Sequence, residues 1–171
     1  MDRQGNAFVA GGTDSLNFPV SAIPTQRTLA GARDAWDGMF DRTGKMERST
    51  YLGGMAADFA NGVGVNETGL VYVGGGTSST NFPVTVGPAL KGPMDAFVIS
   101  LSADSRTVVG STLVGGSSTD LAVKLAVKPE GVVVITGQTR SADFPITPTA
   151  PWPTFTGVER IFASQLSSDL T

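Results

Sequence analysis

An internal repeat limits what this chain can fold into more than any other feature. Asn17-Phe18-Pro19, Asn81-Phe82-Pro83 and Asp143-Phe144-Pro145 lie 64 and 62 residues apart. Gly11-Gly12-Thr13, Gly75-Gly76-Thr77 and Gly137-Gln138-Thr139 keep the same intervals. Asp34-Ala35-Trp36 matches Asp95-Ala96-Phe97 and, more loosely, Arg160-Ile161-Phe162. Ser49-Thr50-Tyr51-Leu52-Gly53-Gly54 matches Ser111-Thr112-Leu113-Val114-Gly115-Gly116, Asp58 matches Asp120, and Gly69 matches Gly131. Such a period indicates small units that stack on one another, because each is too thin to bury its apolar faces alone.

Within a unit the apolar residues alternate. In the middle copy this predicts strands over residues 59–65, 70–77, 96–101 and 107–114, the last rich in β-branched side chains. Alternation sets Phe59, Val63 and Val65 on one face of the first strand and Ala60, Gly62 and Gly64 on the other. Residues 121–127 of the last copy read the same way, with Leu121, Val123, Leu125 and Val127 on one face; a short helix over 120–128 is the weaker alternative. Residues 66–69 and 102–105 read as tight turns. Asp37-Gly38 stands where the middle copy has Val98-Ile99. This predicts a weakened strand, with Asp37 on an edge facing water or at a bulge.

Four antiparallel strands in a unit of this length make a propeller blade. The expected fold is all-β, a partial β-propeller of about three four-stranded antiparallel blades. Residues 1–58 supply strands two to four of one blade, 59–119 a complete blade, and 120–171 strands one to three of another. The first blade therefore lacks its innermost strand and the last its outermost. The chain reads as a piece of a larger propeller, or as a protomer of one, with neighbouring blades of the parent chain or of an oligomer as its first partners.

Composition narrows the chemistry. Lys and Arg number 12 against 15 Asp and Glu, with no basic stripe, which argues against nucleic acid. The absence of Cys excludes disulfides, thiolate nucleophiles and thiolate metal sites; the absence of His removes the commonest general base and imidazole ligands. No apolar run is long enough to insert in a bilayer, and residues 1–12 show no signal-peptide pattern, although a parent chain could carry one.

Long loops on rigid strands are the usual place for binding. Here these are residues 14–33, 78–94 and 140–159, on the same face as the segments 53–58 and 115–120. Trp152, between Pro151 and Pro153, is a candidate for stacking on a sugar or peptide, and Arg33, Lys91 and Arg140 could receive an anion. The plainer reading of the three cations is solvated surface. Asp34, Asp58, Asp95 and Asp120 recur on this face and could bind Ca²⁺, a hard cation that takes oxygen ligands. The plainer reading is that each accepts backbone N–H bonds within its own loop, since a residue present in every unit more often builds the unit. No D-x-D-x-D-G loop is present, and no other cofactor is indicated. The glycine pairs read as turns or bulges, and the Phe-Pro corners as turn caps with the Phe between blades.

These residues also resemble a known pattern. Gly5-Asn6-Ala7-Phe8-Val9-Ala10-Gly11-Gly12-Thr13, Asp143-Phe144-Pro145, Asp95-Ala96-Phe97-Val98-Ile99-Ser100-Leu101 and Ser49-Thr50-Tyr51-Leu52-Gly53-Gly54 are similar to the bacterial seven-bladed β-propeller repeats known as SBBP repeats. The last copy departs from that pattern by losing the Asp of its D-A-F and by the Trp152-Pro153 excursion. The resemblance implies an extracellular or bacterial cell-surface protein, and no reaction. The leading expectation is a non-catalytic segment that scaffolds, or binds a protein or glycan through its long loops. The alternative is a carboxylate-dependent glycan-active enzyme, for which no acid pair stands out in the sequence. A third possibility is a spacer array without a ligand.

Overall fold

A computed structural model describes residues 1–154 and 157–171. Residues 155 and 156, within the loop at 140–159, lie outside the described residues. The chain is all-β, with no helix among the described residues. In order the strands are β1 (Ala7–Thr13), β2 (Asp34–Phe40), β3 (Met46–Leu52), β4 (Asp58–Val65), β5 (Val71–Thr77), β6 (Asp95–Leu101), β7 (Val108–Val114), β8 (Asp120–Val127), β9 (Val133–Thr139) and β10 (Arg160–Leu166). They form three antiparallel sheets: β1-β2-β3, β4-β5-β6-β7 and β8-β9-β10. The middle sheet is a complete four-stranded unit. The first lacks the counterpart of β4 and the last the counterpart of β7, an arrangement compatible with a partial propeller. Of the segment over 120–128, residues 120–127 form strand β8 and none is helical.

The middle sheet lies between the other two. Strands β1 and β2 pack against β4, and β8 packs against β4, β5 and β6. Each junction holds its own core. Ala35 and Leu52 of the first sheet meet Ala60, Val71, Val73, Phe97 and Ile99 of the middle one. On the other side Tyr72, Ala96, Val98 and Val114 meet Ala122, Val133, Ile135 and Phe162 of the last. The Phe of the second and third Phe-Pro corners enters this packing. The ring centroids of Phe82 and Phe97 are 4.7 Å apart and those of Phe144 and Phe162 4.6 Å. A tilted aromatic pair adds about 0.5–1.5 kcal/mol to the area it buries. In the first sheet Phe18 lies against Trp36 and Tyr51 instead.

Register corrects the expected faces of β4. Ala60 faces Gly75 but Gly62 faces Gly74, so Asn61 is an extra residue in a bulge. Residues directly opposite in an antiparallel pair point to the same side. Ala60, Val63 and Val65 therefore share the face toward the first sheet, and Phe59 turns to the other side with Gly62 and Gly64. The same bulge recurs in β8 between Ala122 and Lys124, separating Leu121 from Leu125 and Val127 and leaving Val123 unpaired. The bulge brings the backbone of β4 onto Gly75: a Cβ there would lie 1.9 Å from the Phe59 carbonyl oxygen.

Asp37 also corrects an expectation. It sits within a full strand of the first sheet, paired with Ala10 and Thr50, and is wholly buried. The register shift in β2 falls later, between Met39 and Phe40. Asp37 faces the middle sheet beside Arg48.

Main-chain bonds join successive units. Arg33 and Ala57 form a parallel bridge, as do Met94 and Thr119. The Asp58 N–H donates to the Arg33 carbonyl at 2.8 Å and the Asp120 N–H to the Met94 carbonyl at 2.9 Å.

Candidate functional site

The recurring aspartates are hubs of the loop end of each junction. Asp34 Oδ2 accepts from Ala30 N–H at 2.9 Å and from the Gln26 amide at 2.6 Å, and Oδ1 accepts from Gly31 N–H at 3.2 Å. Asp95 accepts from Lys91 N–H at 2.9 Å and Gly92 N–H at 3.4 Å, closing its own loop in the same way. Asp58 and Asp120 organise the segments between sheets. Asp58 Oδ2 accepts from Gly54 N–H and from Ser79 Oγ–H, both at 2.7 Å, and its Oδ1 takes the Thr77 hydroxyl. Asp120 Oδ2 accepts from Gly116 N–H and Ser141 Oγ–H, again both at 2.7 Å. Its Oδ1 has no hydrogen-bond partner.

The structure brings these acids together in pairs. Asp34 and Asp58 both abut Gly53, and Asp95 and Asp120 both abut Gly115. All four are buried. Burial pushes the Asp34 carboxyl above its ordinary range, opposed by its N–H donors and assisted by the charge of Asp58. Asp95 is raised for the same reasons, with Asp120 as the charged neighbour. A raised carboxyl in a cleft would suit acid catalysis. These two are instead buried under glycine backbone and accept hydrogen bonds from their own loops. No group of three or more acidic side chains that could hold a metal ion is found among the described residues.

The residue before the second and the third Phe-Pro reaches across to the preceding unit. Asn81 Oδ1 accepts from Met55 N–H at 2.8 Å, and Asp143 Oδ1 from Ser117 N–H at 2.8 Å. Those donors hold the Asp143 carboxyl below its ordinary range. The Ser two residues earlier does the same: Ser79 Oγ accepts from Ala56 N–H at 2.9 Å and Ser141 Oγ from Ser118 N–H at 2.8 Å. Sequence reasoning missed these serines. Their signal was their recurrence two residues before Asn81 and Asp143.

The unrepeated candidates are dispersed. Trp152 is 80% exposed. Arg140 is exposed, and its Nε donates to Glu159 at 3.2 Å. Lys91 is exposed and acts electrostatically on Asp95 and Asp143. Arg33 is exposed, and its main chain forms the bridge to Ala57.

Sequence reasoning also missed a buried polar cluster at the opposite end of the first junction. Arg48 Nη1 donates to Ser105 Oγ and lies 3.8 Å from Asp37 Oδ2; its guanidinium carbon is 5.3 Å from the Phe8 ring centroid. Asp37 Oδ1 and Arg48 Nε are left without partners. Burial raises the Asp37 carboxyl, against the opposing effects of Ser105 and Arg48, and burial lowers Arg48. No family model matches the chain, and no curated protein matches it.

Proposed function

We propose that the chain is a non-catalytic binding or scaffolding segment of a propeller of the SBBP type, carried by an exported or surface bacterial protein. It presents the loops at 14–33, 78–94 and 140–159 to a protein or glycan. One observation carries this reading. The four recurring aspartates are buried and accept bonds within their loops and from the neighbouring unit, which makes them parts of the scaffold. The loops they anchor then differ in exposed side chains, Trp152 above all.

A neighbouring blade, in the same parent chain or in an oligomer, is the partner that the outer faces suit. Ile161 is 84% exposed, whereas its counterparts Ala35 and Ala96 are fully covered by the next sheet. A glycan array and a pull-down of surface proteins, run with the wild type and Trp152→Ala, test the binding reading. Signal lost in the variant supports it; an unchanged signal removes Trp152 from the site, and silence throughout leaves scaffolding as the function.

A further inference from the structure

The outer face of the last sheet does not copy the face that the middle sheet turns toward it. Register fixes the comparison. Gly62 pairs with Gly74 in the middle sheet, where Lys124 pairs with Thr136 in the last. Gly64 and Gly76 correspond likewise to Ala126 and Gln138. The glycines of the middle sheet make a bed for the next inner strand. A Cβ on Gly62 would lie 2.9 Å from Leu125 Cβ, one on Gly64 2.6 Å from a Val127 methyl, and one on Gly76 2.8 Å from a Leu121 methyl. In the last sheet side chains fill that bed, and Lys124, Ala126 and Gln138 are exposed. A unit that carries a leucine in the place of Leu125 has no seat there, because a close-packed seam does not absorb extra side chains without cost.

The outer half of the same face is apolar. Ile161 and Ala163 stand where Ala96 and Val98 do, and those two share a core with Phe162 across the second junction. Ile161 and Ala163 are both exposed. A matching partner offers an aromatic ring in the place of Phe162 and no leucine on an inner strand. The first sheet of this chain does both. Phe8, Ala10 and Ala35 face the middle sheet, so Val9, Gly11, Trp36 and Gly38 face away from it. Trp36, the counterpart of Phe97 and Phe162, lies over Gly11 and Gly38 on that side, half-buried, with Val9 exposed beside it. Among the described residues the first sheet has no strand in the place of β4, so it brings nothing against Lys124.

We propose that a second copy of this chain seats its first sheet on the last sheet of its neighbour, head to tail, with Trp36 of one copy against Ile161 of the other. The proposal rests on the propeller reading above and names the oligomeric partner in it. The contact continues the junction that the chain already makes twice within itself. Lys124 then faces the room that an inner strand would fill and keeps its charge in water. Head-to-tail contacts form a ring where the rotation closes. Three sheets from each of two copies make six, within the range of about four to eight blades found in closed propellers.

The test is sedimentation velocity of the whole chain at about 5–200 µM, where a micromolar Kd shows as a change of mass. The mass of two chains is expected. The mass of one chain throughout would overturn the second copy as occupant, whereas the loop-binding reading stands or falls by the capture assay with Trp152→Ala. Ile161→Asp and Val9→Asp, on the two faces, should each return the mass to one chain. An equimolar mixture of the two should regain pairs, because one intact Ile161 face and one intact Val9 face remain. An effect of only one of these variants, or no recovery in the mixture, would overturn the head-to-tail arrangement. Should Val9→Asp not fold, Trp36 emission decides. With Trp152→Phe as background it should move to shorter wavelength as concentration rises, and should not when Ile161→Asp is added. Emission indifferent to concentration would overturn the contact.

Discussion

Ser105 Oγ donates to Asp37 Oδ2 at 2.8 Å, across the first junction and between residues 68 apart in the chain. Leu170 and Val98 hold the equivalent positions in the second. One contact is thus built twice, once polar and once apolar. A lone substitution in the polar version strands a charge. Asp37→Ala leaves the Arg48 guanidinium, with 7% of its side chain exposed, without its counter-ion. Losing one partner of a buried pair costs about 3–5 kcal/mol. Copying the second junction with Asp37→Val, Arg48→Gly and Ser105→Leu together should recover most of that loss, because Leu170 already shows leucine in the same left-handed turn position. Urea melts of the single and triple variants check this; equal losses in both would refute it.

Acid should stabilise the array before it harms it. Asp34, Asp37 and Asp95 have carboxyls raised above the ordinary 3.8 by burial. A raised group contributes stability that is complete below its unfolded pKa and is lost as pH climbs through the folded one. Asp2, Asp41, Asp104, Asp143 and Asp169 are lowered below 3.8 and contribute the opposite way, losing their effect as pH falls through their folded values. Tm is therefore expected to rise as pH falls from neutral toward 3.8 and to fall as pH drops further below 3.8. Asp37→Asn should flatten the rise.

Gly75 and Gly11 are equivalent in sequence but not in surroundings. An added Cβ meets the Phe59 carbonyl oxygen at 1.9 Å in the first case and the movable Trp36 ring, at 3.0 Å, in the second. Gly75→Ala must open the bulge, and overpacking of this kind costs about 1–3 kcal/mol. Gly11→Ala should cost clearly less. Thermal melts of the two variants, read against each other, decide it.

Calcium should leave Tm unchanged, since the four recurring aspartates already accept hydrogen bonds within the fold. Asp58→Ala, by contrast, strands the donors of Gly54, Ser79 and Thr77. Each buried donor left unsatisfied costs about 1–3 kcal/mol, so this variant should melt far earlier. A calcium-induced rise in Tm that Asp58→Ala removes would return these residues to the role of metal ligands.

Trp152→Ala should leave Tm unchanged, because the side chain is 80% exposed. Any loss of ligand capture in that variant then reports on binding and not on folding. Differential scanning fluorimetry beside the capture assay separates the two.

The strands were legible because the repeat presents each one two or three times, and the alternation agrees between copies. The bulges were not. A single extra residue at Asn61 leaves the alternation on either side intact, and only the partner strand shows that Phe59 has changed faces. Asp37 was misplaced because an acid among apolar residues signals an exposed edge unless its partner is known. Its partners are Arg48, on the next strand, and Ser105, in the following unit, and neither proximity follows from spacing. The roles of Asp58 and Asp120 within their loops were legible from their recurrence.

The bridges from Arg33 to Ala57 and from Met94 to Thr119 are made by peptide groups alone. A stitch of that kind is blind to which side chains flank it. Gene duplication can therefore lengthen or shorten such an array without inventing a new seam, and the order of neighbours is left to a few distinctive contacts such as the one between Asp37 and Arg48.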